Sequence, residues 1–377
     1  MNLNTEALIR VISLVSNDIV TDNRVHKIAA SLEANGFMLM VVGREFSHSK
    51  KLITRSYTIK RFRLWFNKGP LFYANLNIRF FFFLLRADVD IILSNDLDTL
   101  PAGWLAAKLR RKKLVFDSHE LFPEVPELVR RPVVRSIWLL IERILIKRIS
   151  YGSTVSDAIA NHYNNKYNKP FVVIRNVGRF HNDTDFEGII KDDDKKTIIY
   201  QGALNVGRGL ELAIQSMMHV ENIRLQIIGD GNIREKLEKL VSDLGLDNKV
   251  EFVGRIPLEE LWEYTAKAHL GISLEEDLGL NYQFALPNKL FDYIQARIPV
   301  VVSDLKELSA MVDRYAIGKI LTDRTPDKLG EVFTIMLEDE LTKGVYYTNL
   351  EIAARELCWE REEEKLIELF KRVSTLA

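Results

Sequence analysis

Short runs of branched and aliphatic residues recur along the chain. Each is separated from the next by a stretch whose apolar positions fall three and four apart. Runs of the first kind predict buried strands, and stretches of the second predict amphipathic helices. In the first half the pattern predicts strands over 8–15, 37–42, 89–93, 115–116, near 153–155 and over 171–174. Between them it predicts helices over 22–35, stopping at Gly36, then 71–85, 99–109 with Pro101 in its first turn, 133–147 and 157–163. Residues 178–196 are polar and without period, as an interdomain linker is. The alternation then restarts, with strands over 197–200, 223–228, 250–253, 270–273 and 299–302. Helices over 210–218, 233–244, 258–266 and 288–296 fall between them. Beyond Thr325 the chain is helical and charged, ending in 360–373.

This alternation predicts an α/β protein with parallel sheets covered on both faces. The polar interruption divides it into two doubly wound halves, a first domain over 1–177 and a second over 197–350, with a helical segment over 351–377. Two such halves are expected to face each other across a cleft lined by the carboxyl ends of both sheets. No sequence repeat relates them.

Composition narrows the setting. With 377 residues, 47% of them hydrophobic and 28% charged, the chain has the mix of a soluble globular protein and length for two cores. Lys+Arg and Asp+Glu both total 52, so global charge does not point to a nucleic-acid partner. The balance is local: residues 108–148 carry 11 Lys/Arg against 5 Asp/Glu, which favours a negatively charged surface or substrate. A single cysteine, Cys358, leaves no internal disulfide and suits a reducing compartment. The N-terminal apolar run is too short for a signal peptide, and residues 80–85 fall far below the roughly 18–20 apolar residues that span a bilayer. A cytoplasmic protein is expected, with peripheral contact to an anionic membrane through 133–147. There Val134, Ile137, Trp138, Ile141, Ile144 and Leu145 share a face, with Arg135, Arg143 and Lys147 off it. An ordinary core helix has the same pattern.

Candidate chemistry gathers where strands end. The strand 114–116 runs straight into Asp117, Ser118, His119 and Glu120, and the carboxyl end of a parallel strand is where a doubly wound fold puts ligand contacts. Asp117 is given no more than a turn-stabilising role; His119 and Glu120 are the candidates. Asp22 and Arg24 stand where the first helix begins. Asp22 reads as an N-cap, whereas Arg24 in a first turn is electrostatically out of place unless an anion or carboxylate is near. Asp96-Leu97-Asp98 has the D-x-D spacing of metal-dependent sugar transferases, but Asp98, before Thr99 and Pro101, reads better as a helix N-cap. His26 and His181 have no partner pattern, and the seven histidines form no metal-spaced cluster, so no metal site is expected. Asp192, Asp193 and Asp194 read as a solvated charge run.

The second half opens with IIYQGALNVGRGLEL. Gly202, Gly207, Arg208 and Gly209 put backbone N–H groups and one guanidinium beside a helix start, an arrangement that can hold a diphosphate. A glycine-rich turn with a solvated arginine accounts for the same residues. Gly229-Asp230-Gly231 lacks the third glycine of a dinucleotide fingerprint, since position 234 is Arg, and reads as a tight turn. In LPNKLFDYIQARIPVVVSD, Asn288, Lys289 and Asp292 fall on the first turns after Pro287. A carboxylate there can accept from vicinal ribose hydroxyls and Lys289 can meet a phosphate. The plain account is an Asn288 N-cap with a dipole-favoured Asp292, although an early-turn lysine opposes the dipole.

Taken together, these stretches resemble the retaining glycosyltransferases of the family 4, group 1 type, which have the GT-B fold of two facing Rossmann-like domains. The likeness runs through DNRVHKIAASLEANG, DLDTLP, LVFDSHELFPE, TVSDAIANHY, YQGALNVGRGLE and LPNKLFDYIQARIPVVVSD. It implies a nucleotide-diphosphate sugar donor on the second domain, a carbohydrate or glycolipid acceptor on the first, and a C-terminal helix crossing back onto the first. No cofactor beyond the donor is implied. His119 matches the family's histidine near the donor sugar, with Glu120 after it, and Arg208 takes the place of the diphosphate-binding lysine. Asp292 falls where the ribose-binding second glutamate of Glu-x7-Glu is expected, and Gly254, Arg255 and Ile256 frame the base. Gly202, Gly207, Gly209, Gly229, Asn288 and Lys289 complete the donor side, and Asp22 and Arg24 the acceptor side. Two positions depart from the pattern: Ala203 stands where the family has a phosphate-binding arginine, and Phe284 where it has the first glutamate. Glu275 or Glu276 and Lys289 are the residues available to replace them. A GT-B sugar-nucleotide epimerase and a non-catalytic glycosyltransferase-like partner share the architecture.

Overall fold

The computed structural model describes residues 8–20, 22–47, 49–52, 54–191 and 194–375, the side chains of 340–343 excepted. The first seven residues, and Asp192 and Asp193 of the acidic run, lie outside the described residues. The chain forms two compact units, Met1–Arg175 with Glu362–Ala377, and Asn176–Arg361.

In the first unit seven strands form one parallel sheet. They are β1 (Ile9–Leu14), β2 (Phe37–Glu45), β3 (Thr58–Arg63), β4 (Ile91–Asn95), β5 (Lys113–Ser118), β6 (Tyr151–Thr154) and β7 (Val172–Val173). Their order is β3-β2-β1-β4-β5-β6-β7, with Val11 of β1 opposite both Leu39 and Ile91. The second unit has six: β8 (Lys196–Gln201), β9 (Ile223–Ile228), β10 (Val250–Gly254), β11 (Leu270–Ser273), β12 (Val300–Ser303) and β13 (Gly318–Leu321). Their order is β10-β9-β8-β11-β12-β13, again parallel. The winding direction reverses between β1 and β4 in one sheet and between β8 and β11 in the other. Connections diverge there, leaving a crevice at the carboxyl ends.

The central strands are buried throughout, as their unbroken apolar runs predict: every residue of β4, β11 and β12 is inside. Three elements lie outside the predicted pattern. β3 (TIKRFR) pairs only with β2, at the sheet's edge, and holds just two apolar residues, Ile59 and Phe62, neither of them buried, so it carries no buried run to find. The helix Lys306–Tyr315 and β13 extend the second sheet beyond the last predicted strand. The helix is highly charged, and only Glu307, Leu308, Met311 and Val312 turn inward.

Three local expectations change. Asp98 is not an N-cap: the helix Leu100–Arg110 starts after Thr99, and Asp98 is buried. Asn288 is the first residue of the helix Asn288–Gln295, whose N-cap is Pro287. The start of the expected linker packs on the second unit. His181 stacks on Trp262 with ring centroids 3.5 Å apart, and Phe186 meets the same indole edge-on at 5.2 Å.

The helix Trp359–Thr375 buries Leu366, Ile367, Leu369, Phe370 and Val373. From Glu362 onward it belongs to the first unit, where Phe370 meets Phe37 of β2 edge-on at 5.9 Å. Glu362, also buried, accepts from the Arg175 backbone N–H at 3.0 Å. Phe370→Ala opens a cavity beside β2 and is expected to lower stability by about 3–5 kcal/mol. Urea unfolding followed by tryptophan fluorescence measures that loss.

Candidate functional site

In the first unit the site is a chain of alternating charges around the carboxyl end of β5. Asp117, 1% exposed, receives Arg24 through two bonds, Nε to Oδ2 at 3.0 Å and Nη2 to Oδ1 at 2.9 Å. The Ser153 hydroxyl donates to its Oδ1 at 2.8 Å, and His119 Nε2 lies 2.9 Å from its Oδ2. The other ring nitrogen, His119 Nδ1, is 3.2 Å from Asp96 Oδ2, and the His119 backbone N–H donates to Asp96 Oδ1 at 2.9 Å. Asp96 reaches this position from the end of β4 with a left-handed φ of 58°, which an Asp tolerates better than most residues.

An ionised carboxylate only accepts, so a ring with a carboxylate at each nitrogen is an imidazolium donating from both. Burial alone would lower the His119 pKa, but Asp96 and Asp117 outweigh it and raise it to about 10. Burial would raise Asp117, yet Arg24 and His119 hold it well below the usual carboxylate range. Asp98 goes the other way. Burial, reinforced by the charges of Asp96 and Glu120 and opposed by Ser16, lifts it to about 7.

In the second unit the ends of β8, β9 and β10 form a layer of turns in which backbone lies on backbone. The Gly202 N–H donates to Ile228 O at 3.0 Å and the Gly229 N–H to Gly254 O at 2.8 Å. Gly229 has φ +138°, and a Cβ there would sit 1.8 Å from Gly202 O, so only glycine fits. Gly209, at φ +69°, is as constrained, with Leu274 O 2.1 Å from where its Cβ would be. That close approach brings Arg208 to the residues that follow β11. Glu275, 3% exposed, lies there with Lys289 Nζ 2.5 Å and Arg208 Nη1 3.6 Å from its Oε1. Ser273 donates to the other carboxylate oxygen at 2.7 Å. Lys289 also lies over the Tyr200 ring, 4.3 Å from its centroid, and the Tyr200 hydroxyl donates to Ala203 O at 2.8 Å. Burial would raise the Glu275 pKa, but Lys289 and Arg208 hold it below its ordinary value. Nε of Arg208 is buried without a hydrogen-bond partner.

The structure therefore gathers Gly202, Gly207, Arg208, Gly209 and Lys289 at the β8/β11 switch point. Asp292, one turn beyond Lys289, accepts from Gln201 Nε2 at 2.7 Å. Asn288 and Arg255 are exposed, and Ile256 is half-buried after Gly254. In the first unit Asp22 caps its helix, accepting from the Val25 N–H at 3.1 Å, and also takes a bond from Asn17. Arg24 is not on an acceptor surface. It is 4% exposed, and its third nitrogen donates to Ile174 O at 2.8 Å, so its guanidinium is spent inside the unit. Asp117 is the hub of that network, not a turn-stabilising residue. Asp96 belongs with His119, and among the described residues no group of three or more His, Cys, Asp and Glu is arranged to hold a metal ion. His26 does have a partner, the Tyr57 hydroxyl. The one signal in the sequence for the Asp117 hub was Arg24, a cation in a helix's first turn that called for a nearby carboxylate.

Folded His119 keeps its proton to about pH 10, whereas its ordinary pKa is 6.5. Its contribution to stability is therefore complete below pH 6.5 and is lost as the pH rises through about 10. Unfolding free energies of wild type and His119→Gln measured across that range should converge as the pH rises. A constant difference would show that the imidazolium is not what the site holds. Removing Glu275 leaves Lys289 buried without its counter-charge. Glu275→Ala is expected to cost about 3–5 kcal/mol. Inorganic diphosphate should raise the melting temperature of this variant more than that of wild type, since it replaces the lost negative charge.

Two family models match the chain, one on each half. Glycosyltransferase Family 4 matches residues 22–177 and Glycosyl transferases group 1 matches residues 181–356, so together they take in most of the sequence. An uncharacterized glycosyltransferase of Methanocaldococcus jannaschii is 28% identical over 142 residues, 36% of this chain and 34% of that protein. The match thus spans about a third of the length of that curated relative. Among solved structures, sucrose-phosphate synthase from Thermosynechococcus elongatus superposes with a TM-score of 0.78 at 16% identity, over 98% of this chain and 100% of that one. Anabaena HepE in complex with UDP and glucose gives 0.74 at 14% identity, over 98% and 99%. At such identities these two structures speak for the fold alone. The chain has the GT-B fold and belongs to the family 4, group 1 glycosyltransferases.

Proposed function

We propose that this chain is a retaining, metal-independent glycosyltransferase. It moves a sugar, in our reading a hexose, from a nucleotide-diphosphate sugar to a hydroxyl of a carbohydrate or glycolipid acceptor. Polysaccharide or glycolipid assembly at the cytoplasmic face of a membrane is the proposed setting. The observation that carries the reading is the pair of cations, Arg208 and Lys289, on the single buried carboxylate Glu275 at the β8/β11 switch point. Two cations on one anion leave a net positive charge beside the glycine turns, which suits a diphosphate. UDP is the first nucleotide to test, since HepE was solved with UDP.

The same cluster answers the two departures from the family pattern. Lys289 lies over Tyr200, whose hydroxyl is bonded to the Ala203 carbonyl, so it can supply the cation that Ala203 lacks. Glu275 supplies the carboxylate that Phe284 lacks.

Glycosyl transfer builds positive charge at the anomeric carbon and negative charge on the departing diphosphate. Arg208, Lys289 and the backbone N–H groups around Gly207 and Gly209 stabilise the second of these electrostatically. The acceptor hydroxyl attacks from the face the diphosphate leaves, and the diphosphate takes its proton, so no strong base is needed. Asp292 is assigned to the ribose hydroxyls. His119 is assigned to the sugar hydroxyls, using the N–H that makes the longer contact, to Asp96.

His119→Ala and Arg208→Ala are each expected to abolish transfer while the circular dichroism spectrum stays that of wild type. Arg208→Ala should also weaken nucleoside-diphosphate binding by about 10–100-fold, the worth of roughly 1.5–3 kcal/mol for bonds to a charged group. His119→Ala should weaken it less. Calorimetric titration with UDP, GDP and ADP separates the two effects, and near-wild-type turnover in either variant would remove the assignment. Donor converted to an isomer without any acceptor would instead identify an epimerase. A chain that consumes no nucleotide sugar would be a non-catalytic partner.

A further inference from the structure

The helices Gly69–Arg86, Leu100–Arg110 and Pro132–Ile146 connect β3 through β6 and lie on the same side of the first sheet. Tyr73 of the first meets Trp138 of the third edge-on at 4.9 Å, and Arg148, just past the third, lies 6.0 Å from the Trp104 ring of the second. The three therefore form one layer.

Its outer surface is unusual in two respects. The first is apolar exposure. Pro132–Ile146 turns Trp138, Leu145 and Ile146 inward, yet it has a second apolar stripe on its outer side. Val133 is 74% exposed, Ile137 and Leu140 55% each, and Ile144 41%. These positions are spaced four, three and four apart, a continuous stripe along one helix face. The face predicted from the sequence, which joined Trp138 and Leu145 to Ile137 and Ile144, is thus split between core and surface. Leu105 and Leu109 on the second helix are likewise exposed. So are Ile78 and Phe82 on the first.

The second respect is charge. Across all three helices there is one acidic residue, Glu142, and it is buried, bonded to Lys166 and to the Tyr167 hydroxyl. The exposed ionisable groups from 126 to 150 are one acid, Glu127, and five cations, Arg130, Arg131, Arg143, Lys147 and Arg148. Lys108 on the second helix and Arg111 just past its end add to them. An apolar surface of this extent in water is normally covered, and a strong excess of cations over acids selects what covers it.

We propose that this layer is a docking surface for a bilayer of anionic phospholipid. The stripe of Val133, Ile137, Leu140 and Ile144 enters the headgroup–acyl boundary, and the arginines and lysines beside it meet lipid phosphates. No helix among the described residues is long and apolar enough to cross a membrane, so the chain lies on the surface. The inference gives the proposed membrane setting a particular surface and rests on that reading for its use, but its test does not involve transfer.

The experiment is flotation of the full chain with phosphatidylcholine vesicles, with and without phosphatidylglycerol. Binding is expected with the anionic vesicles only and should weaken as salt is raised. Ile137→Ser with Ile144→Ser, both on the exposed stripe, should lower the bound fraction about tenfold or more, given the apolar area withdrawn. Arg130→Gln, Arg131→Gln, Lys147→Gln and Arg148→Gln together should abolish the preference for anionic lipid. Absence of flotation with anionic vesicles, or equal flotation of the serine variant, overturns the proposal. So does a wild-type dimer in sedimentation that the serine changes dissolve, because the stripe would then join two copies of the chain. Calorimetric binding of UDP, measured on the same preparations, tests the transfer reading separately. A chain that floats and binds no nucleotide would keep this inference and lose the other.

Discussion

The first unit depends on the cost of burying the Asp117 carboxylate. A charge that far from water needs counter-charges and donors in fixed places, and three elements supply them. Arg24 comes from the helix after β1, Ser153 from β6, and His119 from the turn after β5 itself. Asp96, at the end of β4, closes the sequence on the far side of His119. The alternation of cation and anion ties the carboxyl ends of neighbouring strands together where the sheet changes direction. It also fixes the protonation of His119, because a ring between two carboxylates keeps both protons.

The second unit meets the same constraint with the signs arranged differently. One buried carboxylate, Glu275, serves two cations, and the excess positive charge sits beside turns where glycines let backbone approach backbone. The lysine that opposes the helix dipole in the first turn of Asn288–Gln295 is tolerated because Glu275 lies 2.5 Å away. In both units, then, a charged residue at a helix start that looks misplaced marks a buried ion pair. In both units that pair lies at the strand-order reversal, where a doubly wound sheet leaves room for a ligand.

Charge is distributed just as unevenly over the outside. The chain's formal net charge is +0, but the three helices covering one side of the first sheet hold a single, buried acid. Acids are instead concentrated elsewhere, as in the EREEE run of the C-terminal helix. A global balance of 52 against 52 therefore hides a basic, apolar face that the sum alone would dismiss.

Most of the fold was legible in the sequence because its signals are local. Short apolar runs within 89–93 and 299–302, bounded by polar turns, read as buried strands, and polar residues 178–196 mark where one alternation ends and the next begins. β3 was hidden because an edge strand needs no buried apolar run, and the helix Lys306–Tyr315 because most of its surface is charged and solvated. Candidate positions at strand ends were legible for the same local reason, so His119, Arg208 and Lys289 could be named from the sequence. Their partners could not. Arg24 and Asp117 are 93 residues apart, and Asp117 and Ser153 are 36 apart. Pairings at such separations exist only once the sheet has set its strand order. Burial has the same origin: the period of Pro132–Ile146 fixes that it is a helix, and read alone it joins Ile137, Trp138, Ile144 and Leu145 into one apolar face. Only packing against the sheet decides that Trp138 and Leu145 turn inward while Ile137 and Ile144 remain in water.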